Sequence, residues 1–286
     1  MHPFIMKIVF SKECLEYDSP GHPEASGRVR KTYEFLKNFK RLEFVKPEEC
    51  SRKELLLVHS EGMIDTIKSG RFVNFETPPL PDIYHYAKLS VGGSLLSMEI
   101  ALKEGRSFSL MRPPGHHAGK AKFEGFCYFN NIAVAVMKAL KRIKKVGIID
   151  IDVHHGNGTQ EIFLGNPNVM YVSLHQYGFF YPGTGRYSEQ NCYNYPLESG
   201  TEEKVYLNKL EVGLEKIRKF NPDLIAISAG FDTHEGDPLA SLKLRVGTYA
   251  KISGMIAELA KPRFAVLEGG YGEKLPECVY SFLKNF

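Results

Sequence analysis

The sequence predicts an α/β protein in which a mostly parallel β-sheet is covered by helices. Short apolar runs alternate along the chain with longer segments whose apolar residues recur every three or four positions. Several of the short runs are apolar throughout, which is typical of strands buried on both faces of a parallel sheet. No internal repeat, low-complexity tract or Gly/Ser linker interrupts this pattern, so we expect residues 1–286 to form a single domain.

Strands and helices are predicted in alternation. The strands cover residues 7–10, 107–111, 146–151, 169–174, 224–228 and 264–267. The helical patterns cover residues 25–39, 82–103, 131–143, 207–217, 246–259 and 273–283. The pair Asn221-Pro222 ends the fourth helix before the next strand. Residues 77–81, which contain three prolines, predict a rigid surface loop.

Composition and charge exclude several classes of protein. With 43% hydrophobic and 24% charged residues, the chain is neither disordered nor fibrous. A net charge of +4 without a long basic run argues against a nucleic-acid partner, and no apolar run approaches the ~20 residues of a membrane span. Five scattered cysteines indicate neither a disulfide framework nor a cysteine zinc site. Because the N-terminus also lacks the pattern of a signal peptide, we expect a cytoplasmic protein.

Titratable side chains gather where the predicted strands end. They are His116, His117, Asp150, Asp152, His154, His175, Asp232 and Tyr271. The carboxyl ends of parallel strands meet at the edge where open α/β sheets bind ligands. We therefore expect these side chains to form one site.

Asp152, His154 and Asp232 are the predicted metal ligands. The first two lie two positions apart on an extended segment and project to the same face. One imidazole and two carboxylates leave positions open for water and substrate, as in a catalytic metal site. Zinc suits these ligands, and Fe(II) or Mn(II) fits the same ligand types. The alternative, two helix-capping aspartates and a buried core histidine, explains each residue singly but not their common edge.

Two adjacent histidines and a tyrosine predict acid–base chemistry beside the metal. His116 and His117 follow two prolines and a glycine, and such a pair can take a proton from water and return it to a leaving amine. Asp150 can hold one ring as imidazolium, whereas the amide of Asn157 can only orient the other. Tyr271, which lies between glycines, can donate to an oxyanion. Solvated loop histidines and an ordinary Gly-Gly-Tyr-Gly turn are the alternatives.

Together these motifs resemble those of the histone deacetylase superfamily. They are RPPGHHA (112–118), GFCYFNN (125–131), DIDVHHGNG (150–158), SLH (173–175), YPGTG (181–185), SAGFD (228–232), GDP (236–238) and GGY (269–271). Their order and spacing are most similar to class II deacetylases and to bacterial or archaeal deacetylase-like amidohydrolases, with acetylpolyamine amidohydrolases as relatives. The resemblance runs from about residue 22 to residue 271.

The resemblance implies the three-layer αβα arginase-deacetylase fold, with a sheet of about eight strands, and zinc-dependent hydrolysis of N-acyl amides of lysine-like amines. It implies that Asp152, His154 and Asp232 bind zinc, and that His117 is the general base and later acid. The implied catalytic set is His116, His117, Asp150, Asn157 and Tyr271. The implied channel residues are Phe126, Tyr181 and Leu239, with Arg28 at an internal acetate cavity. The implied monovalent-cation site, for K⁺, uses Asp150, Asp152 and Ser173.

Three departures from the family pattern bear on the substrate. Asn157 stands where class I enzymes carry Asp, Tyr181 replaces the commoner Phe, and Leu239 stands where polyamine-selective relatives place a Glu. We therefore expect an acylated lysine peptide or protein as substrate. Deacetylation of acetylpolyamines or another small acylated amine is the enzymatic alternative. A non-catalytic acyl-lysine binding module is the alternative from another class, and the retained His116, His117 and Tyr271 argue against it.

Overall fold

The computed structural model describes residues 5–286 and confirms the α/β prediction. The strands are β1 (Met6–Val9), β2 (Leu42–Val45), β3 (Arg106–Ser109), β4 (Val146–Asp150), β5 (Val169–Gln176), β6 (Cys192–Leu197), β7 (Leu224–Ala229) and β8 (Arg263–Leu267). In the described residues these eight strands form one sheet in the order β2-β1-β3-β8-β7-β4-β5-β6. Every neighbouring pair is parallel.

Helices cover both faces of this sheet. They are α1 (Ser26–Leu36), α2 (Arg52–Leu55), α3 (Glu61–Ser69), α4 (Ile83–Glu104), α5 (Asn131–Ala139), α6 (Asn157–Phe163), α7 (Glu203–Phe220), α8 (Val246–Ala257) and α9 (Leu275–Asn285), with a short 3-10 helix at Lys12–Leu15. Helices α1, α7, α8 and α9 pack on one face, and α4, α5 and α6 pack on the other. The three-layer αβα fold is therefore present.

The central strands are apolar throughout because each contributes to two cores. Ile149 and Ile227 face the layer that contains α7, whereas Ile148 and Ala226, one position away, face α5. Successive side chains of a strand point to opposite faces, so a strand covered on both faces needs no polar position. These strands are also the ones that the sequence predicts.

All six predicted strands and all six predicted helices are present, with ends shifted by a few residues. The edge strands β2 and β6 and the helices α2, α3 and α6 were missed. In β2 all four residues are at least partly exposed, and β6 contains Pro196, so neither has a continuous apolar run. Residues 77–81 form a loop, as predicted, and the loop carries the buried Thr77. None of the helices in residues 5–286 is both long and apolar enough for a membrane span.

Candidate active site

The predicted gathering of polar groups lies at the carboxyl edge of the four strands β8, β7, β4 and β5, which are neighbours in the sheet. Asp150 is the last residue of β4, and Asp232 follows β7 by three residues. Tyr271 follows β8, and Ser173 on β5 is the register partner of Asp150. The strand order therefore brings together residues that are more than 100 positions apart in the chain.

Asp152, His154 and Asp232 converge on one point. One ligand atom from each lies within 4.8 Å of the others. Nδ1 of His154 lies 3.1 Å from Oδ1 of Asp152 and 3.2 Å from Oδ2 of Asp232. Both carboxylates are fully buried, and burial together with the charge of Asp152 raises the pKa of Asp232 to about 7. A cation between them would stabilise two like charges held this close out of water.

The donor set fits a divalent metal ion. Oδ2 of Asp232 is buried and has no hydrogen-bond partner among the described residues, so its lone pairs are free for a ligand bond. The other oxygen of Asp232 accepts from the backbone N–H of Val153 at 2.8 Å, and Oδ2 of Asp152 accepts from that of Gly269 at 2.7 Å, which fixes both carboxylates. A Cβ at Gly269 would lie 2.0 Å from Oδ2 of Asp232, so this position requires glycine. Buried oxygens and one imidazole match the ligand preference of zinc and Fe(II).

His116 has an anionic partner. Its Nδ1 donates to Oδ2 of Asp150 at 3.0 Å, and the same oxygen accepts from the hydroxyl of Tyr171 at 3.0 Å. Burial alone would lower the pKa of His116, but the charges of Asp150 and Asp152 raise it to about 10. His116 is therefore an imidazolium at neutral pH.

His117 has a neutral partner. Its Nδ1 donates to Oδ1 of Asn157 at 2.7 Å, and its ring centre is 4.1 Å from that of His116. Burial, together with the charges of His116 and His154, lowers the pKa of His117 well below its ordinary value. A neutral ring with a proton on Nδ1 carries a lone pair on Nε2, which is what a proton acceptor requires.

Glu268, to which the sequence analysis gave no role, holds the backbone of the histidine pair. Its Oε2 accepts from the N–H groups of Gly115 at 2.7 Å and His116 at 3.2 Å, while Oε1 accepts from the hydroxyl of Ser228 at 3.0 Å. Burial raises the pKa of Glu268 to about 7. The residue directly precedes the Gly-Gly-Tyr turn, so its place at the end of β8 was the available signal.

Two further residues, Asp237 and Arg28, hold Tyr271 in position. Its backbone N–H donates to Oδ2 of Asp237 at 2.6 Å, and the Arg28 guanidinium lies 4.5 Å from the centre of its ring. Burial raises the pKa of Tyr271 well above its ordinary value, although Arg28 opposes the shift, so the phenol remains a donor. Arg28 itself donates to the carbonyls of Gly270 at 2.6 Å and Glu268 at 2.7 Å, which places it behind this turn.

A pocket of about 310 Å³ opens onto these groups. Its walls include the predicted channel residues Phe126, Tyr181 and Leu239, together with Phe180 from the same aromatic segment as Tyr181. The Phe180 ring stacks on that of His154, with ring centres 5.0 Å apart and planes 8° apart. The pocket also contains His116, His117, His154 and Tyr271, so one cavity reaches the metal ligand, the histidine pair and the phenol.

The proposed monovalent-cation residues lie behind the pocket on neighbouring strands. Asp150, Asp152 and Ser173 are fully buried, and the Ser173 hydroxyl is hydrogen-bonded to Nδ1 of His175 at 2.8 Å. His175 and its neighbour His155 pack with ring centres 4.6 Å apart. Of the predicted site residues, seven line the pocket, namely His116, His117, Phe126, His154, Tyr181, Leu239 and Tyr271, and six lie outside its lining, namely Arg28, Asp150, Asp152, Asn157, Ser173 and Asp232.

Comparison with known proteins identifies similar sequences and similar folds. The model of the histone deacetylase domain matches residues 22–286. A probable deacetylase of Methanothermobacter thermautotrophicus is 36% identical, over 98% of this chain and 90% of that protein. The crystal structure of the HDA15 HD domain superposes with a TM-score of 0.91 at 32% identity, covering 98% of this chain and 88% of that one. An acetylpolyamine aminohydrolase from Burkholderia pseudomallei superposes with a TM-score of 0.90 over 98% of each chain; at 24% identity it shares the fold.

Proposed function

The chain belongs to the histone deacetylase family and is a hydrolytic deacetylase, and from this premise we propose that it removes an acetyl or related acyl group from a lysine-like amine. Asp152, His154 and Asp232 hold the metal, preferably zinc. The observation that carries the proposal is the single pocket in which His117, His154 and Tyr271 meet. The described sheet supports one catalytic domain for this reaction.

A bound divalent metal supplies Lewis acidity that polarises an acyl carbonyl and makes water more acidic. The residues of the chain supply the proton transfers. Nε2 of His117 takes a proton from the attacking water molecule while the oxygen of that water bonds to the carbonyl carbon. The Tyr271 hydroxyl donates a hydrogen bond to the carbonyl oxygen as that oxygen gains charge. His117 then returns the proton to the nitrogen as the C–N bond breaks, so the products are a carboxylic acid and an amine, and the acid then loses its remaining proton to solvent.

His116 and Asp150 act without transferring the proton. The imidazolium of His116 stands beside the ring of His117 and opposes its protonation, so His117 gives up the acquired proton readily. Asp150 keeps that charge on His116. A potassium ion bound by Asp150, Asp152 and Ser173 would offset part of the negative charge of the two carboxylates.

The walls support an acyl-lysine substrate. Phe126 and Tyr181 present aromatic surface to an aliphatic chain, and Leu239 offers no anion for a second ammonium group. The exposed Glu76 in the pocket lining favours a second candidate, a small acylated polyamine whose distal cation would meet this carboxylate.

The test is turnover of the zinc-loaded protein on an acetyl-lysine peptide and on an acetylated diamine, with acetate and free amine measured. We expect faster peptide hydrolysis and a loss of about 10²–10³-fold in turnover for Tyr271→Phe at unchanged metal content. Tyr187→Phe, on the exposed surface, is the matched control. Near-normal turnover of Tyr271→Phe contradicts the mechanism, faster diamine hydrolysis favours the second candidate, and the absence of product with either substrate favours a binding module.

A further inference from the structure

Glu124 lies next to the histidine pair but belongs to none of the motif positions assigned above. Its Oε1 accepts a hydrogen bond from Nδ2 of Asn157 at 2.7 Å. Oδ1 of the same amide accepts from Nδ1 of His117, also at 2.7 Å. The side chain of Glu124 is 17% exposed, and its other oxygen pairs with the exposed Lys122. Among the described residues that line the pocket, the neighbouring Gly125 is present and Glu124 is not.

The hydrogen-bond donors and acceptors of Glu124, Asn157 and His117 allow only one orientation of the amide and one tautomer of the histidine. A carboxylate can only accept, so Glu124 requires the amide nitrogen of Asn157 to face it. The amide oxygen is then left for His117, and because an amide oxygen can only accept, Nδ1 of His117 must carry the proton. The free lone pair of the neutral ring is thereby placed on Nε2.

We propose that Glu124 is a positioning residue that fixes the tautomer of His117 through Asn157. The inference rests on the proposed role of His117 as the proton carrier. Without the carboxylate, the Asn157 amide can turn and present its NH₂ group to Nδ1. This stabilises the other tautomer, whose Nε2 carries a proton and cannot accept one. Glu124 therefore affects the chemical step rather than substrate binding.

The side chain of Glu124 can be changed without removing its local fold. The turn at this point is closed by a backbone bridge between Glu124 and Cys127, which side-chain substitution leaves in place. Asn157 begins helix α6, and exchanging its amide for a carboxylate keeps the shape of the side chain. The hydrogen-bonded pair can thus be reversed: in Asn157→Asp with Glu124→Gln, the introduced amide donates and the introduced carboxylate accepts from both neighbours.

The test is a double-mutant cycle on the zinc-loaded protein with acetyl-lysine peptide as substrate. For Glu124→Ala we expect kcat to fall about tenfold and KM to stay within about twofold. Glu124→Gln should lower kcat about threefold in the wild-type background, because the introduced amide can turn as well. In Asn157→Asp, where two carboxylates face each other, the same Glu124→Gln change should raise kcat about tenfold. Lys122→Met, which leaves the Glu124–Asn157 bond intact, is the control and should stay within about twofold.

The inference predicts that Glu124→Gln lowers kcat in the wild-type background and raises kcat in the Asn157→Asp background. Equal losses in both backgrounds, an unchanged kcat for Glu124→Ala, or an effect on KM alone would overturn it. Wild type and His117→Ala are measured in the same assay. If the wild type is inactive, or His117→Ala is as active as the wild type, the proposed function fails; if only the Glu124 variants behave differently from expectation, the inference fails alone. If Glu124→Ala does not fold, the comparison between Asn157→Asp and its Glu124→Gln double variant still decides.

Discussion

His116 and His117 are neighbours in sequence, both buried, with ring centres 4.1 Å apart, yet they hold protons in opposite ways. His116 faces the Asp150 carboxylate, and its pKa is raised to about 10 despite burial. His117 faces the Asn157 amide, and burial lowers its pKa. The charge of the partner, rather than the depth of burial, therefore decides whether a buried imidazole is an acid or a base at neutral pH.

His117→Ala should have the largest effect on this pair. Removing the imidazole that lines the pocket together with the Tyr271 phenol and is hydrogen-bonded to a neutral amide should lower turnover by about 10³-fold, within the range that a general acid–base group contributes. Metal content, measured by elemental analysis, should stay at the wild-type level because His117 is not a ligand. His85→Ala removes a histidine near the surface and is the matched control. Turnover above about a tenth of the wild-type value would assign the proton transfer to another group.

Removal of the metal tests whether the buried carboxylates of Asp152 and Asp232 also depend on the charge of their partner. Asp152 and Asp232 are fully buried next to each other; His154 contacts both, and His116 lies 3.8 Å from Asp152, so a bound cation should stabilise the folded state further. At a free metal concentration of ~100 times Kd, binding contributes about 2.7 kcal/mol, and chelation should lower Tm by roughly 5–10 °C. Asp232→Asn should make Tm insensitive to both chelator and added zinc. A Tm that does not respond to the chelator in the wild type would argue against this ligand set.

The sequence predicted the aspartates and histidines of this edge because the central strands are visible in it. A strand buried on both faces is an apolar run, so the polar residue that ends it is conspicuous, as at Asp150. The same reasoning failed for β2 and β6, which lie at the two edges of the sheet and have fewer neighbours to bury them. Their residues, LEFV and CYNYPL, do not differ from those of a half-exposed loop.

Contacts between residues that are far apart in the chain could not be predicted from the sequence either. Glu124 meets Asn157 from 33 positions away, and Glu268 meets the backbone of His116 from 152 positions away. Each glutamate directly precedes a recognised motif, but that position does not indicate which residue the glutamate contacts. Asp150 and Asn157, in contrast, lie within nine residues on one glycine-containing segment, and their charges alone predicted one imidazolium and one neutral ring, whereas the resemblance implied which histidine each one meets.

Asp150→Asn removes the charge from the partner of His116. The amide can still accept from Nδ1, so the geometry of the ring is retained while the preference for imidazolium falls. Turnover should drop about 10–100-fold, less than for His117→Ala, because His116 acts through its charge. Steady-state kinetics beside Asp65→Asn, which removes an exposed carboxylate, check the result. A loss equal to that of His117→Ala would mean that both rings transfer protons.

A third buried histidine, His59, tests whether the charge of the hydrogen-bond partner also decides the protonation of a buried imidazole away from the metal ligands. His59 donates from Nδ1 to the carbonyl of Gly119 at 2.9 Å, and its Nε2 accepts from the backbone N–H of Asn130 at 3.0 Å. Both partners are uncharged, and burial lowers the pKa of His59 to about 4. In this respect His59 resembles His117 and not His116.

The sign of its effect on stability follows from that pKa. The unfolded chain, with a histidine pKa of about 6.5, binds this proton more readily than the folded chain, so stability is full above pH 6.5 and is lost as pH falls towards 4. His59 should account for about 1–2 kcal/mol of lost stability between pH 7.5 and pH 5. His155 and His175, with pKa values lowered by burial to about 4 and about 3, act in the same direction. Urea unfolding at both pH values should therefore show a smaller acid-induced loss for His59→Gln than for the wild type, whereas an equal loss would mean that the partner rule stops at the active site.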